Sequence, residues 1–415
     1  MGETLKADPE WISGLGNYVL ALNGSAWKAV NLVGAHAQST GEFKGLMGKL
    51  KEPIDSLHTA TKTRIEEIPP VLYGTSVNLK QAAWDYTTTD SEAGLGLRHT
   101  RTETYNSNPF VPPIEVQLGL VPDPVVTYEQ VDDVPGTYGF GDPRAVDVTA
   151  PANESVNWNA IIESAAGWLA DADSAIASLT HWSPIQSAVE PVAGNWMELK
   201  RIGKTYGKAG SAFDIISGDL GTGHRTVDTH WDGKAAVSYS SYSADLSRGL
   251  NWEGSVGRLL ERGLTMAADQ LEAAAKALIA LVQKGLSRLV KVDSFEGILK
   301  LAAKAVPGAG TAAAVAEVTR LLAEVAIEAK RMIVEINKAI DALTTFVSFC
   351  KDPVGFATGK AEGKVKEELR PFTDTLDKIA FANDVATATE IDRVTQQPRT
   401  AYDPGTGPGI WEDQP

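Results

Sequence analysis

His224, Asp228, His230 and Asp232 are the densest group of potential metal ligands in the chain. The spacing of His224 and His230 does not bring both rings to one helical face, so no metal site is expected. Pro307, Gly308, Ala309, Gly310 and Thr311 are loop-forming but lack the lysine that would reach a phosphate, and read as a helix cap. There is no Gly-x-Ser-x-Gly elbow and no His-Glu-x-x-His pair. No catalytic residue and no cofactor is therefore assigned, and the chain reads as a non-enzyme. The spacings that do carry information belong to recognition. Tyr86 is followed one helical turn later by Asp90 on the same face, and Trp231 is followed by Gly233. A reversing helix needs a residue tolerant of positive φ, which costs a non-glycine roughly 1–2 kcal/mol, and a large ring fills the notch between diverging helices. Both strings recur, as Tyr128 with Asp132, Tyr138 with Asp142, and Trp252 with Gly254; position along the helical pattern is what favours the first pair of each kind.

The elements that must hold these residues are helices. Leu46, Leu50, Ile54, Leu57, Thr61 and Ile65 share one face, and after a hinge at Pro69 and Pro70 so do Leu72, Leu79, Ala83 and Tyr86. A further helical piece over Ile12 to Val33 is expected alongside. Residues 93–155 are proline-rich and acidic without an apolar period, the composition of a linker or flexible loop. Leu199, Ile202, Tyr206, Ala209, Phe213, Ile216, Leu220 and Val227 make a regular seam, followed beyond Gly233 by Ala235, Tyr239, Tyr242, Leu246 and Leu250, so a helical hairpin is predicted. The glycines at 203, 207, 210, 218, 221 and 223 imply either a closely packed partner or a break near Gly221. Trp252 is expected where another helix begins. Two long helices follow, one carrying Leu260, Leu264, Leu271, Leu278 and Leu281, the other running from Val315 to Phe346. The predicted class is all-α: antiparallel hairpins and long helices packed as bundles, with a proline-rich irregular insert. The predicted units are 1–92, the linker 93–155, the hairpin 156–255, a long-helix region 256–395 and a disordered tail 396–415.

The 415 residues carry a formal net charge of −15, which repels nucleic-acid phosphates, so no nucleic-acid partner is expected. A single cysteine, Cys350, excludes an internal disulfide. The first twenty residues lack a basic flank and apolar core, and no apolar run approaches the ~20 residues that span a bilayer. Secretion or surface display would need a route without a cleaved leader.

With these residues in view, a family resemblance can be stated. Tyr73 to Asp90, with Gly74, Leu79, Ala82, Ala83, Tyr86 and Asp90, resembles the end of an EspC-like or PE-like domain of type VII secretion substrates. Gly194, Asn195, Trp196 and Leu199 through Trp231, Gly233, Ala235 and Ala236 resemble a WxG or PPE-like domain. Their order in one polypeptide is similar to EspB-like fused substrates. The resemblance implies a composite secretion signal of Tyr86, Asp90, Trp231 and Gly233, a secretion ATPase as partner, and a dedicated chaperone or Esx-type partner. The C-terminal helices would serve self-assembly into a homo-oligomer, or contact with partners or lipids. It also implies that Tyr86→Ala should disturb secretion more than folding. Two other readings stay open: an intracellular structural or chaperone-like helical protein, and a secreted toxin with an unrecognised C-terminal activity.

Overall fold

The computed structural model describes residues 6–93, 134–137, 139–165, 169–180, 183–192, 194–289, 312–357, 367, 378–390 and 397–404. It is all-α: among the described residues the only β-type pairing is an isolated antiparallel bridge between Ala7 and Trp231.

Helix α1, Pro9–His36, starts where Asp8 accepts a capping bond from the Glu10 amide and Pro9 supplies a preset φ. It lies antiparallel to a rod made of α2, Lys51–Glu66, and α3, Ile68–Ala93: Gly16 faces Ser76 and Leu79, whereas Gly34 faces Lys62. The handover from α2 to α3 takes place at Glu67, with Pro69 and Pro70 in the first turn of α3, where a missing amide donor is harmless. Leu50, Ile54, Leu57, Thr61 and Ile65 are buried, as are Leu72, Leu79, Ala83 and Tyr86, so both stripes face the core.

Three short helices, α4 (Trp158–Ala165), α5 (Leu169–Thr180) and α6 (Pro184–Val189), precede the main hairpin. Its arms are α7, Met197–Asp228, and α8, Lys234–Leu289. At 56 residues, α8 extends roughly 84 Å. This continuity corrects two expectations. The boundary expected at 255/256 falls inside an unbroken helix, and Trp252 does not begin one: it lies mid-helix, buried, with its indole N–H donating to the Ala388 carbonyl at 3.0 Å.

Helix α7 also runs unbroken past Gly221. Gly203, Gly207 and Gly210 are explained by proximity to α8, and Gly223 by proximity to Leu15 and Tyr18 of α1. A Cβ on Gly210 would stand 2.9 Å from the Gly254 carbonyl oxygen, and one on Gly257 would stand 2.5 Å from the Tyr206 carbonyl oxygen. The two backbones touch there, which recovers in packing what glycine loses in helix propensity.

Helix α9, Ala312–Lys351, lays Ile336, Ile340, Leu343 and Phe346 against α8 and α2. It is followed by α10, Pro353–Ala357, and α11, Lys378–Thr389, whose Asp384 is held by Arg258 and Arg262 of α8 at 2.8 Å each. One continuous apolar core draws on α1, α2, α3, α7, α8, α9 and α11, and a smaller cluster joins Leu169, Ile185 and Ala188 to Ile279, Val282 and Leu286 of α8. The helices α1 to α3 and the hairpin thus share a core. Arg64 of α2 reinforces the junction, donating to the buried Glu253 carboxylate at 2.5 and 3.0 Å with its guanidinium 4.9 Å from the Trp252 ring centroid.

Where the expected linker is described, it is a fastened strap rather than a flexible loop. The Thr137 amide donates to the Glu10 carbonyl, Ser13 donates to the Val134 carbonyl, Arg144 pairs with the buried Asp219 at 2.6 Å, and Asn195 donates to the Glu154 carbonyl. The expected disordered tail is likewise corrected over 397–404, where Tyr402 is buried.

Gly257→Val should force α7 and α8 apart and destabilise the chain by about 1–3 kcal/mol. Gly221→Ala, with no heavy atom within 4 Å of the new methyl, should instead stabilise it by about 0.5–1 kcal/mol. Urea unfolding followed by circular dichroism separates the two directions.

Candidate functional site

The site is built where α7 turns into α8. Helix α7 ends at Asp228, and Thr229 to Gly233 reverse the chain. Gly233 has φ +95°, a left-handed conformation that a β-branched residue strongly disfavours. The turn is clasped by the segment that leads into α1. The Asp8 amide donates to the His230 carbonyl at 2.9 Å, the Asp232 amide donates to the Lys6 carbonyl at 2.7 Å, and the Lys6 ammonium donates to the Thr229 carbonyl. His230 stacks on Trp11 with centroids 3.8 Å apart and planes 7° from parallel. The same ring has its Nδ1 3.8 Å from the Asp8 carboxylate.

Trp231 points inward from this turn and is 1% exposed. Its indole N–H cannot reach water, and it donates to the Tyr86 hydroxyl at 3.1 Å. Tyr86 comes from the last turns of α3, so the two sequence landmarks meet inside the protein at the end where α1 begins, α3 nears its end and α7 turns into α8. Gly233 lies two residues beyond the indole. Asp90 is on α3 one turn past Tyr86, and its side chain lies outside the described residues.

Three further tyrosines complete an aromatic cluster. Tyr239, one turn into α8, is 5.8 Å from Trp231; Tyr402 stands edge-on to Trp231 at 6.4 Å and to Tyr239 at 5.2 Å; Tyr242 is 5.7 Å from Tyr402. Edge-to-face pairs contribute about 0.5–1.5 kcal/mol each beyond their buried area. Tyr239 and Tyr242 belong to the predicted stripe of α8. Tyr402 and the clasp from Lys6 to Asp8 were not foreseen, because neither has a periodic neighbour; an aromatic ring amid glycine and proline is the one local sign that Tyr402 offered.

Burial is the first cause that pushes the phenols of Tyr86, Tyr239, Tyr242 and Tyr402 above the ordinary tyrosine value, Tyr242 to about 12. For Tyr86 the indole donor partly offsets that rise. The cluster is a closed aromatic anchor. It fixes the relative position of the end of α3, the turn between α7 and α8, and the segment around Tyr402.

Because Tyr86 is buried, Tyr86→Ala carries a folding cost of its own: removing a buried ring costs about 3–5 kcal/mol. Tyr86→Phe is the cleaner change. It leaves the buried indole N–H without an acceptor and should lower stability by about 1–3 kcal/mol; Gly233→Val should lower it by at least ~1 kcal/mol through backbone strain. Equal unfolding midpoints for either variant and wild type would contradict the geometry.

A pH dependence follows as well. A phenol that ionises near pH 10 when unfolded but higher when folded keeps its full stabilising contribution below pH 10 and loses it as pH rises further. Absorbance at 295 nm should therefore show the clustered tyrosines ionising only above pH 10, as helicity is lost. Complete titration near pH 10 with circular dichroism unchanged would contradict this. No family model, no curated protein and no solved structure matches the chain.

Proposed function

We propose that the chain is a non-enzymatic substrate of a type VII secretion system, exported in its folded form, with a secretion ATPase as partner. The observation that carries this reading is the 3.1 Å hydrogen bond from Trp231 to Tyr86. It joins the two motifs on which the family resemblance rests, across two separate helical pairs. A composite signal requires that the parts be close, and Gly233 and Tyr86 are held on one end of the molecule by a shared core. Because Trp231 and Tyr86 are both buried, the export machinery would read the surface they shape. That surface includes Thr87 and Val237, both exposed beside the junction.

The test is export by a host that carries a type VII system. Wild-type protein is expected in the culture filtrate, and it should disappear from the filtrate when the secretion ATPase is deleted. Asp90→Asn should reduce export. Retention of the wild type in the lysate, or release that ignores the ATPase deletion, would remove the proposal.

A further inference from the structure

Gln397 to Pro404 cross the aromatic junction outside any helix or strand, and the protein reads this segment as a peptide. The Tyr402 amide donates to the Thr75 hydroxyl at 3.1 Å, and the Asn78 amide group donates to the Tyr402 carbonyl, so side chains of α3 satisfy both backbone groups of that residue. The Tyr402 hydroxyl donates to the Ala235 carbonyl of α8 at 2.9 Å, and the Tyr242 hydroxyl donates to the Thr400 carbonyl at 3.2 Å. Arg399 pairs with Glu67 at the far end. Gln397 enters over Gly249, where a Cβ would come within 2.5 Å of its side chain. Reading of backbone amide and carbonyl, a deep slot for one ring and an ion pair at the edge are what a peptide-docking site provides.

We propose that Thr75, Asn78, Trp231, Ala235, Tyr239 and Tyr242 form a tyrosine-peptide docking slot, and that Gln397–Pro404 is a detachable latch occupying it. The inference stands apart from the export reading, since it concerns only how the slot is filled. The segment enters close to where α11 ends: Ala388 is bonded to Trp252, three residues along α8 from Gly249. Attachment to the same chain gives the latch an effective concentration in the millimolar range, so it outcompetes a free peptide of similar intrinsic affinity. When the latch leaves, the edges of Trp231 and Tyr239 are uncovered and the slot becomes open to another peptide bearing tyrosine.

Two measurements on the full-length protein test this. In native-state hydrogen exchange of the wild type, the amides of Thr400 to Asp403 should exchange through a local opening, faster than those of α1, α7 and the α7-facing part of α8. Protection equal to the core would overturn the latch. The second measurement uses a fluorescently labelled synthetic peptide covering residues 397–404. It should bind Tyr402→Ala, which vacates the slot, at least about tenfold more tightly than wild type, whose own latch competes. A peptide carrying phenylalanine at the tyrosine position should bind about threefold to tenfold more weakly than the tyrosine peptide. Absence of peptide binding to Tyr402→Ala, or global unfolding of that variant, would make Tyr402 an ordinary core residue and end the proposal.

Discussion

A buried indole N–H must find an acceptor, and in this protein the acceptor arrives from a helix 145 residues away in sequence. Much of the architecture at this end follows from that requirement. Trp231 is buried only because Gly233 lets the chain reverse sharply enough to turn the ring inward. Tyr86 is in reach only because α3 packs against α1, and α1 against α7. Leaving the N–H unpaired would forfeit about 1–3 kcal/mol, a sizeable share of the 5–15 kcal/mol by which a domain is stable.

The same constraint explains why helices α1 to α3 and the α7–α8 hairpin cannot be described as beads on a string. Helix α1 contacts α3 on one side and α7 on the other, and the strap from Val134 to Asn157 ties α1 to α7 along its path. Arg64 and Glu253 repeat the connection farther along, between α2 and α8. Because Glu253 is buried, its charge is tolerated only with the guanidinium beside it; this pair therefore acts chiefly on register, penalising any sliding of α2 along α8. The closely packed glycines of α7 and α8 work in the same direction, since only one alignment brings Gly210 opposite Gly254 and Gly257.

Helical stripes were legible in the sequence because burial on one face imposes a period that survives without knowledge of the partner. Leu199, Ile202, Tyr206, Ala209, Phe213, Ile216, Leu220 and Val227 are all buried. What the partner decides was not legible. Gly221, with open space where a Cβ would stand, and Gly210, pressed against a neighbouring backbone, look alike in the chain, so a break at the first was as reasonable as a contact at the second. Trp231 and Trp252 share the same local string; one lies in a turn and the other mid-helix because Gly233 adopts φ +95° and Gly254 stays helical beside Asp214. Segments without a period fared worst. The strap over 134–157 and the segment 397–404 are held by individual side-chain anchors, and Asp219 or Thr75 gives no sign in sequence of what it will bind.

The packing of Tyr402 adds a consequence for how the two halves communicate. Its amide is held by Thr75 of α3 and its hydroxyl by Ala235 of α8, so this one residue bridges the same two helical pairs that Tyr86 and Trp231 join. Tyr402 packs on Trp231 and Tyr239 touches both rings, which places the two bridges too close to contribute independently. Loss of the outer bridge would admit water to the ring edges on which the inner one depends. Water would then compete for the indole N–H, and a hydrogen bond made favourable by its dry surroundings would weaken toward the small net value such bonds have at a surface. The stability of the Trp231–Tyr86 contact is therefore set partly by a segment more than 160 residues beyond Trp231 in the chain, through solvent exclusion rather than through any bond to the pair itself.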